Sequence, residues 1–188
     1  MFHDVLRFFA KELNSYLRLR FGVQQDMVVL SNLINQDGRP ALNDKNKVVM
    51  SLMNIEEERV ARPMKNFRKD GPNAYTQLRP PLKLYLYVIF TGYFEGENYE
   101  EALKFIYGVA AYFQSNPVFS SKQNPQLGRG AERVTVDFVN IDFDKLGRMW
   151  AIYGNKYLPS MVFRFRTIVI QENVATGQSS AIIEVKKS

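Results

Sequence analysis

Histidine and cysteine, which are common in catalytic and metal-binding sites, are nearly absent from this chain of 188 residues: it has one histidine and no cysteine. His3 lies close to the first residue, and a general-base role would require a nucleophile or a carboxylate beside it in space. The absence of cysteine excludes disulfides and thiolate-bound metals. We therefore interpret His3 as a structural or surface residue rather than as part of a catalytic centre.

Two short motifs have the composition of ligand sites but lack the surroundings that such sites need. Glu56, Glu57 and Glu58 are consecutive, so their carboxylates alternate between the two faces of a strand, and the interspersed pattern of a calcium loop is missing. Residues 128–130 read Gly-Arg-Gly but do not join a strand to a helix, as a phosphate loop does. No Gly-x-Ser-x-Gly nucleophile motif occurs. The sequence therefore predicts a protein that is not an enzyme, with no catalytic residue, metal, cofactor or small-molecule substrate.

The chain is basic, with a formal net charge of +6. This charge permits an acidic partner but does not specify nucleic acid, because no RNA- or DNA-binding motif accompanies it. Basic residues are densest over residues 59–79, where large aliphatic residues are scarce, so residues 57–79 are predicted to form a long flexible loop. The candidate partner contacts in this loop are Arg59, Arg62, Lys65, Arg68 and Lys69. A basic nucleic-acid-binding module is one alternative interpretation, and its binding would fall steeply with salt. An enzyme of unrecognised type is the least favoured alternative, and it would need a polar pocket with perturbed titratable groups.

The length fits a single domain over residues 1–188, since domains commonly contain roughly 100–200 residues. No apolar run approaches the ~18 residues that a membrane span requires. Charged residues interrupt the apolar start of the chain at Asp4, Arg7, Lys11 and Glu12, which argues against a signal peptide. We therefore expect synthesis and assembly in the cytoplasm, without a membrane partner.

Residues 80–94 form the stretch around which the other elements are expected to be arranged. Aliphatic and polar-aromatic side chains alternate there with the period of a strand. One face carries Leu82, Leu84, Leu86, Val88 and Phe90. The other face carries Lys83, Tyr85, Tyr87, Ile89, Thr91 and Tyr93. This second face is too aromatic for solvent and too polar for a dry core, so we predict a strand covered on both sides. Its three tyrosines would contact either the chain's own helices or a neighbouring subunit.

Apolar patterns elsewhere predict three helices and further strands. Helical spacing indicates two longer helices, over residues 2–21 and 99–115, and a short one over residues 143–153. Asn98 and Glu101 would form a capping box at the start of the second helix. Its buried stripe is predicted to contain Tyr99, Leu103, Ile106, Tyr107, Ala110 and Phe113.

Alternating or short apolar runs predict strands over residues 27–30, 47–55, 133–141, 161–170 and, at an edge, 181–186. In the strand over residues 161–170, Phe163, Phe165 and Val169 are expected to point inward, with Arg164 and Arg166 outward. Helices and strands in this order indicate an α+β domain, with helices packed on a mixed or antiparallel sheet.

Several segments together resemble one family, the cap or tail-terminator proteins of contractile, phage-tail-like injection systems. In that family an N-terminal amphipathic helix precedes a strand that runs into an Asn-Ile-Glu-Glu-like stretch, and here residues 54–57 read Asn-Ile-Glu-Glu. A Pro-Pro-Leu-x-Leu-x-Leu strand matches residues 80–86, and an Asn-Pro-Val that follows a helix matches residues 116–118. A later Leu-x-x-x-Trp matches residues 146–150, and a Tyr-x-Pro-Ser turn matches residues 157–160. Members of the family often continue beyond this domain.

The resemblance implies a non-enzymatic structural protein with a tail-terminator-like fold. Such a protein would form a ring, expected to be a hexamer, on the end of the inner tube distal to the baseplate. There it would stop tube growth and anchor the sheath, with tube and sheath proteins as partners and an extracellular particle as the final location. An edge strand would suit pairing with a neighbour, so Ile183 and Val185 of the predicted strand 181–186 are candidate contacts.

Overall fold

A twelve-residue strand, β5 (Leu82–Tyr93), lies inside the main sheet of the protein. The computed structural model describes residues 2–58, 66–69, 74–78, 80–128, 131–154, 156–170 and 175–180. Leu86, Val88 and Phe90 are fully buried on one face of β5, whereas Ile89 belongs to a separate buried cluster on the other. The predicted assignment of residues to the two faces is therefore confirmed along the middle of the strand. Leu82, at its start, is exposed.

The main sheet has six strands in the order β1-β2-β5-β8-β7-β6. Strands β1 and β2 are parallel, and every other neighbouring pair is antiparallel. The bounds of its other strands are β1 Val28–Leu30, β2 Lys47–Glu57, β6 Val118–Ser120, β7 Arg133–Phe138 and β8 Ser160–Ile170. The predicted mixed sheet is therefore confirmed, with β6 as a short strand that the sequence did not indicate.

Two long helices, α1 (Phe2–Phe21) and α2 (Tyr99–Ser115), pack on the leucine face of the sheet. Aromatic rings fill the space between them and the strands: the Phe9 and Phe165 centroids are 4.5 Å apart, and those of Phe113 and Phe163 are 4.9 Å apart. The two helices approach closely at Gly108, where a Cβ atom would lie 2.6 Å from Leu17 Cδ2. Only glycine fits this crossing without movement of its neighbours.

A short helix, α3 (Phe143–Ile152), contributes to the core on the opposite face of the sheet. Asp142 caps it, because its carboxylate accepts a hydrogen bond of 2.8 Å from the Lys145 N–H. Met149 and Trp150 are buried in one cluster with Ile89 of β5 and Val162 of β8. This part of β5, around Ile89, is therefore covered on both sides, as predicted.

The predicted buried stripe of α2 is wrong for three of its six residues. Tyr99, Leu103 and Tyr107 are 51%, 44% and 58% exposed, and the buried positions include Ala102, Phe105, Val109 and Tyr112 instead. The capping box is also wrong, since Asn98 makes no side-chain cap hydrogen bond. Its amide instead donates to Asn46 Oδ1 at 3.3 Å.

Strands occur inside the segment that was predicted to be a loop. Strands β3 (Asn66–Lys69), β4 (Ala74–Leu78) and β9 (Ala175–Ser180) form a second, three-stranded antiparallel sheet in the order β3-β4-β9. Thr76 and Leu78 of β4 are buried. The loop prediction is therefore wrong for β3 and β4. The predicted edge strand over residues 181–186 lies outside the described residues.

A buried asparagine of α1 fixes the outer strand β1. Asn14 is only 8% exposed, and its Oδ1 accepts hydrogen bonds from the N–H groups of Met27 (2.8 Å) and Val28 (2.7 Å). Its Nδ2 donates to the Val28 carbonyl at 2.9 Å. Asn14 thus pairs backbone groups that a further strand would otherwise satisfy, and it closes this edge of the sheet near Val28.

Candidate assembly surface

A polar surface covers part of the tyrosine face of the main sheet, and we call it the polar belt. It runs across four adjacent strands, β2, β5, β8 and β7. Its strand residues are Glu56, Tyr85, Tyr87, Asp137, Arg164 and Arg166. Glu58, which directly follows β2, belongs to it as well. Strand register brings them together, since Tyr85 lies opposite Glu56, and Arg164 lies opposite both Tyr87 and Asp137.

The tyrosines of the polar belt are half-buried and bonded to their neighbours. The Tyr87 hydroxyl donates to Glu56 Oε2 at 2.9 Å, and the Arg164 guanidinium lies over the Tyr85 ring, 5.2 Å from its centroid. Burial raises the pKa of Tyr85 above its ordinary value, and the charge of Glu58 adds to this effect. Burial and the hydrogen bond to Glu56 likewise raise the pKa of Tyr87. A raised pKa means that the protonated phenol, which can donate a hydrogen bond, is favoured at both tyrosines.

One carboxylate of the polar belt holds two arginines. Asp137 Oδ2 lies 3.3 Å from Arg164 Nη2 and 2.6 Å from Arg166 Nε. The three side chains are partly exposed, at 30%, 35% and 40% respectively. A partly exposed network of opposite charges suits contact with another polar protein surface, because its groups are already held in position.

Tyr93 lies at the other end of the tyrosine face, beside α3. Together with Leu33, Trp150, Tyr153 and Leu158 it lines a largely apolar cavity of about 260 Å³. Tyr93 packs against the buried cluster of Trp150 and Val162, so the chain's own α3 cluster covers it. Tyr87 borders the same cluster. Contact of Tyr85, Tyr87 or Tyr93 with a neighbouring subunit remains a prediction.

The other predicted interface residues are only partly described. Arg68 and Lys69 lie in β3, and the Lys69 side chain is exposed. Arg59, Arg62, Lys65, Ile183 and Val185 lie outside the described residues. Their proposed contacts therefore remain predictions from the sequence.

His3 and Glu56, which were first considered as catalytic or metal-binding residues, contact neighbouring side chains. His3 Nε2 lies 2.9 Å from Asp4 Oδ1, with both side chains largely exposed. Glu56 accepts the Tyr87 hydrogen bond. Among the described residues, no group of three or more histidine and acidic side chains is arranged to hold a metal ion. Within the same ranges, no helix combines the length and the apolarity needed to cross a membrane.

Sequence reasoning missed Asn14 and the pairing within the polar belt. Asn14 follows Leu13 and precedes Leu17 on the apolar face of α1, so a polar residue at a buried helical position was the available signal. Arg164 and Arg166 were predicted to point away from the core, and their attachment to Asp137 depends on the register of β7 and β8. That register cannot be derived from either strand alone.

Comparisons with known proteins are consistent with this fold. The chain matches the family model described as the Pvc16 N-terminal domain over residues 4–183, whereas comparison with curated protein sequences gives no match. It resembles the sheath/tube terminator of the PVC extracellular contractile injection system in its extended state, with a TM-score of 0.68 and 16% identity, over 100% of this chain and 62% of that chain. It also resembles the tube-terminating cap of the anti-feeding prophage, with a TM-score of 0.60 and 14% identity, over 97% of this chain and 58% of that chain. The chain thus spans about three-fifths of the length of these relatives.

Proposed function

Because the chain belongs to the Pvc16 N-terminal domain family, as the order of its motifs predicted, we propose that it terminates the tube of a contractile injection particle. It closes the tube end distal to the baseplate and anchors the sheath there. The observation that carries this proposal is the shared fold, which extends over the whole of this chain in the PVC sheath/tube terminator. The proposed partners are the inner-tube protein, the sheath protein and other copies of the chain in a ring, expected to be hexameric.

A terminator acts by geometry, and the described features suit that task. Helices α1, α2 and α3 pack on the main sheet and hold it in position, so its exposed surfaces are fixed for contact with partners. Asn14 closes one sheet edge, which limits pairing at that side. The polar belt offers charges of both signs in fixed positions. Exposed ion pairs contribute only about 0–1 kcal/mol each, so attachment depends on many modest contacts repeated around the ring.

The proposed role is not enzymatic. The polar belt contains phenols with raised pKa and paired charges, but no nucleophile and base adjacent to each other. Lys69 and the predicted contacts Arg59, Arg62, Lys65 and Arg68 are proposed to meet acidic groups on the tube. Assembly is proposed to take place in the cytoplasm, and the particle that contains the protein acts outside the cell.

Basic residues of the described regions do not favour the nucleic-acid alternative. Many of them are already paired with carboxylates, on several different elements. These pairs are Arg18 with Asp26, Lys45 with Glu95, Lys145 with Asp142, Arg148 with Asp144, and Arg164 and Arg166 with Asp137. A nucleic-acid site would need unpaired positive charge gathered on one face.

Deletion of the gene is expected to give tubes of uncontrolled length or particles without a closed, sheathed distal end, because nothing would stop addition of tube subunits. The measurement is the length distribution of negatively stained particles, with and without the gene restored from a plasmid. Particles of normal length with intact caps in the deletion strain would contradict the proposed function.

A further inference from the structure

The two outer strands of the main sheet differ in how completely their backbone groups are paired. At the first outer strand, β1, Asn14 bonds both the N–H and the carbonyl of Val28. At the opposite side, β6 pairs with β7 only from Arg133 to Thr135. The outer side of β7 beyond Val136, at Phe138, is called the open edge.

Pro117 ends the pairing between β6 and β7. The Val136 N–H donates to the Pro117 carbonyl at 2.9 Å, but proline has no N–H to return to the Val136 carbonyl. Further along, the Val139 N–H donates to Val162 of β8 at 2.9 Å, so Phe138, one residue earlier, directs its N–H and carbonyl away from β8. No described residue pairs with these outward groups of Phe138. They are available to a further strand.

An apolar groove lies directly beside the open edge, and we call it the β7 groove. Its volume is about 330 Å³, and its walls come from α2, β7 and β8. Its principal lining residues are Ala110, Phe113, Pro117, Val136, Phe138 and Phe163. Phe138 is 54% exposed even though its ring packs edge-to-face on Phe163, with centroids 5.5 Å apart. A strand added to the open edge would place alternate side chains over this groove.

Residues 181–188 are a candidate occupant of this site, because apolar and charged side chains alternate over residues 183–186. Residues 181–188 read Ala-Ile-Ile-Glu-Val-Lys-Lys-Ser and follow β9, whose last residue is Ser180. Ala181, Ile183 and Val185 fall on one face of an extended strand, and Ile182, Glu184 and Lys186 fall on the other. In β7, Val136 is buried on the groove side, whereas Asp137 lies on the polar side with Arg164. Ile183 and Val185 would thus meet the groove, while Glu184 and Lys186, on the same side as Ile182, meet charges of both signs.

We propose that residues 181–188 of a neighbouring copy add as a strand to the open edge of β7, with Ile183 and Val185 in the β7 groove. This inference rests on the proposed function, in which copies associate as a ring. The contact is heterologous, with residues 181–188 of one copy on the edge of the next, and such contacts close into rings when the rotation is correct. It identifies the acceptor surface for the predicted contacts Ile183 and Val185.

A fluorescent peptide of residues 179–188 tests the acceptor site. It is titrated into a variant that ends at Ser180, and saturable binding is expected by fluorescence anisotropy. Phe138→Ser should weaken binding by at least about tenfold, because an aromatic anchor at the centre of a contact carries much of the binding energy. The matched control is Phe143→Ser, which removes a 92% exposed phenylalanine at the start of α3. Thermal melts establish that both variants fold.

Backbone pairing is tested separately with N-methylated peptides. Methylation removes the N–H donor, and only alternate amides of an added strand face its neighbour. One peptide is methylated at residues 182 and 184 and the other at residues 183 and 185. We expect one of the two to lose binding by at least about tenfold and the other to retain it. Equal binding by both peptides would overturn strand addition.

Two further outcomes would also overturn the inference. If the variant ending at Ser180 does not bind the peptide, the β7 groove is not the acceptor. The second outcome is a protein of residues 1–188 that is monomeric by light scattering and does not bind the peptide, although the truncated variant does. In that case residues 181–188 occupy the groove of their own chain. Electron micrographs of particles from two strains distinguish a failure of this inference from a failure of the proposed function. If particles carrying the variant that ends at Ser180 have normal caps, while particles from the full gene deletion have defective caps, the contact made by residues 181–188 is contradicted and the proposed function is not.

Discussion

Leu84→Asp is expected to abolish the cooperative thermal unfolding transition. Leu84 is 7% exposed and lies in the large cluster beneath α1 and α2, opposite Glu57 of β2 and Ile168 of β8. An unpaired carboxylate buried at this position costs several kcal/mol, in addition to the lost apolar contacts. Because natural domains are stable by only about 5–15 kcal/mol, this single change should exceed most of the available stability.

The control for this prediction is the adjacent residue on the opposite face. Lys83 is partly exposed and pairs with Val169, so Lys83→Asp adds a carboxylate where water can reach it. Thermal melts followed by circular dichroism should show a clear transition for Lys83→Asp and none for Leu84→Asp. Similar melting of the two variants would show that the assignment of faces on β5 is wrong.

Asn14→Ala is expected to lower the free energy of unfolding by about 3 kcal/mol, since each buried polar group left without its partner costs about 1–3 kcal/mol. The affected groups are the N–H groups of Met27 and Val28 and the carbonyl of Val28. The cavity between α1 and β1 has a volume of about 500 Å³ and is lined in part by Asn14 and Val28, so water can relieve some of this cost.

Asn14→Asp is the matched variant for this site. It keeps the acceptor for both N–H groups but places a carboxylate oxygen near the Val28 carbonyl, so its stability should fall between those of the wild type and Asn14→Ala. Urea unfolding of the three proteins gives the ranking. An Asn14→Ala protein within about 0.5 kcal/mol of the wild type would mean that β1 does not depend on this asparagine.

The sequence predicted best the elements whose patterns are long and regular. Alternation along residues 84–90 assigned both faces of β5, because a strand buried on both sides leaves little freedom of register. The apolar repeat of α1 likewise predicted a helix that the structure ends at Phe21. The family was also predicted correctly, since the order of several weak motifs is more specific than any one of them.

The sequence could not predict strands that depend on a distant partner. Strand β4 pairs with β9, about one hundred residues further along the chain, with Ala74 opposite Ser180. The charge density of residues 59–79 suggested a loop, because the composition of a segment indicates only whether it can become ordered by itself. It does not include the stabilising contacts with a distant strand. The sequence also gave no warning of the irregular pairing between β5 and β8, where Leu86 lies opposite Phe165 but Leu84 lies opposite Ile168. Between these two pairs, β8 therefore has one residue more than β5, which reverses the direction of the side chains that follow. As a result Ile168 is fully buried, whereas Val169, which was predicted to point inward, is only partly buried.

The face of α2 was misassigned for a different reason. Tyr99, Leu103 and Tyr107 lie four residues apart and read as an apolar stripe, yet they are exposed. A second stripe containing Ala102, Phe105 and Val109 faces the sheet and α1 instead. When a helix carries two apolar stripes, periodicity alone cannot decide which of them is buried.

The central claim, that the protein terminates the tube, is tested most directly by locating the protein on intact particles. Purified particles carrying an epitope-tagged copy of the chain are labelled with gold-conjugated antibody and examined by negative-stain electron microscopy. The proposed function predicts gold at a single end of each particle, the one opposite the baseplate, with none along the sheath. Gold distributed along the particle, or confined to the baseplate end, would contradict it.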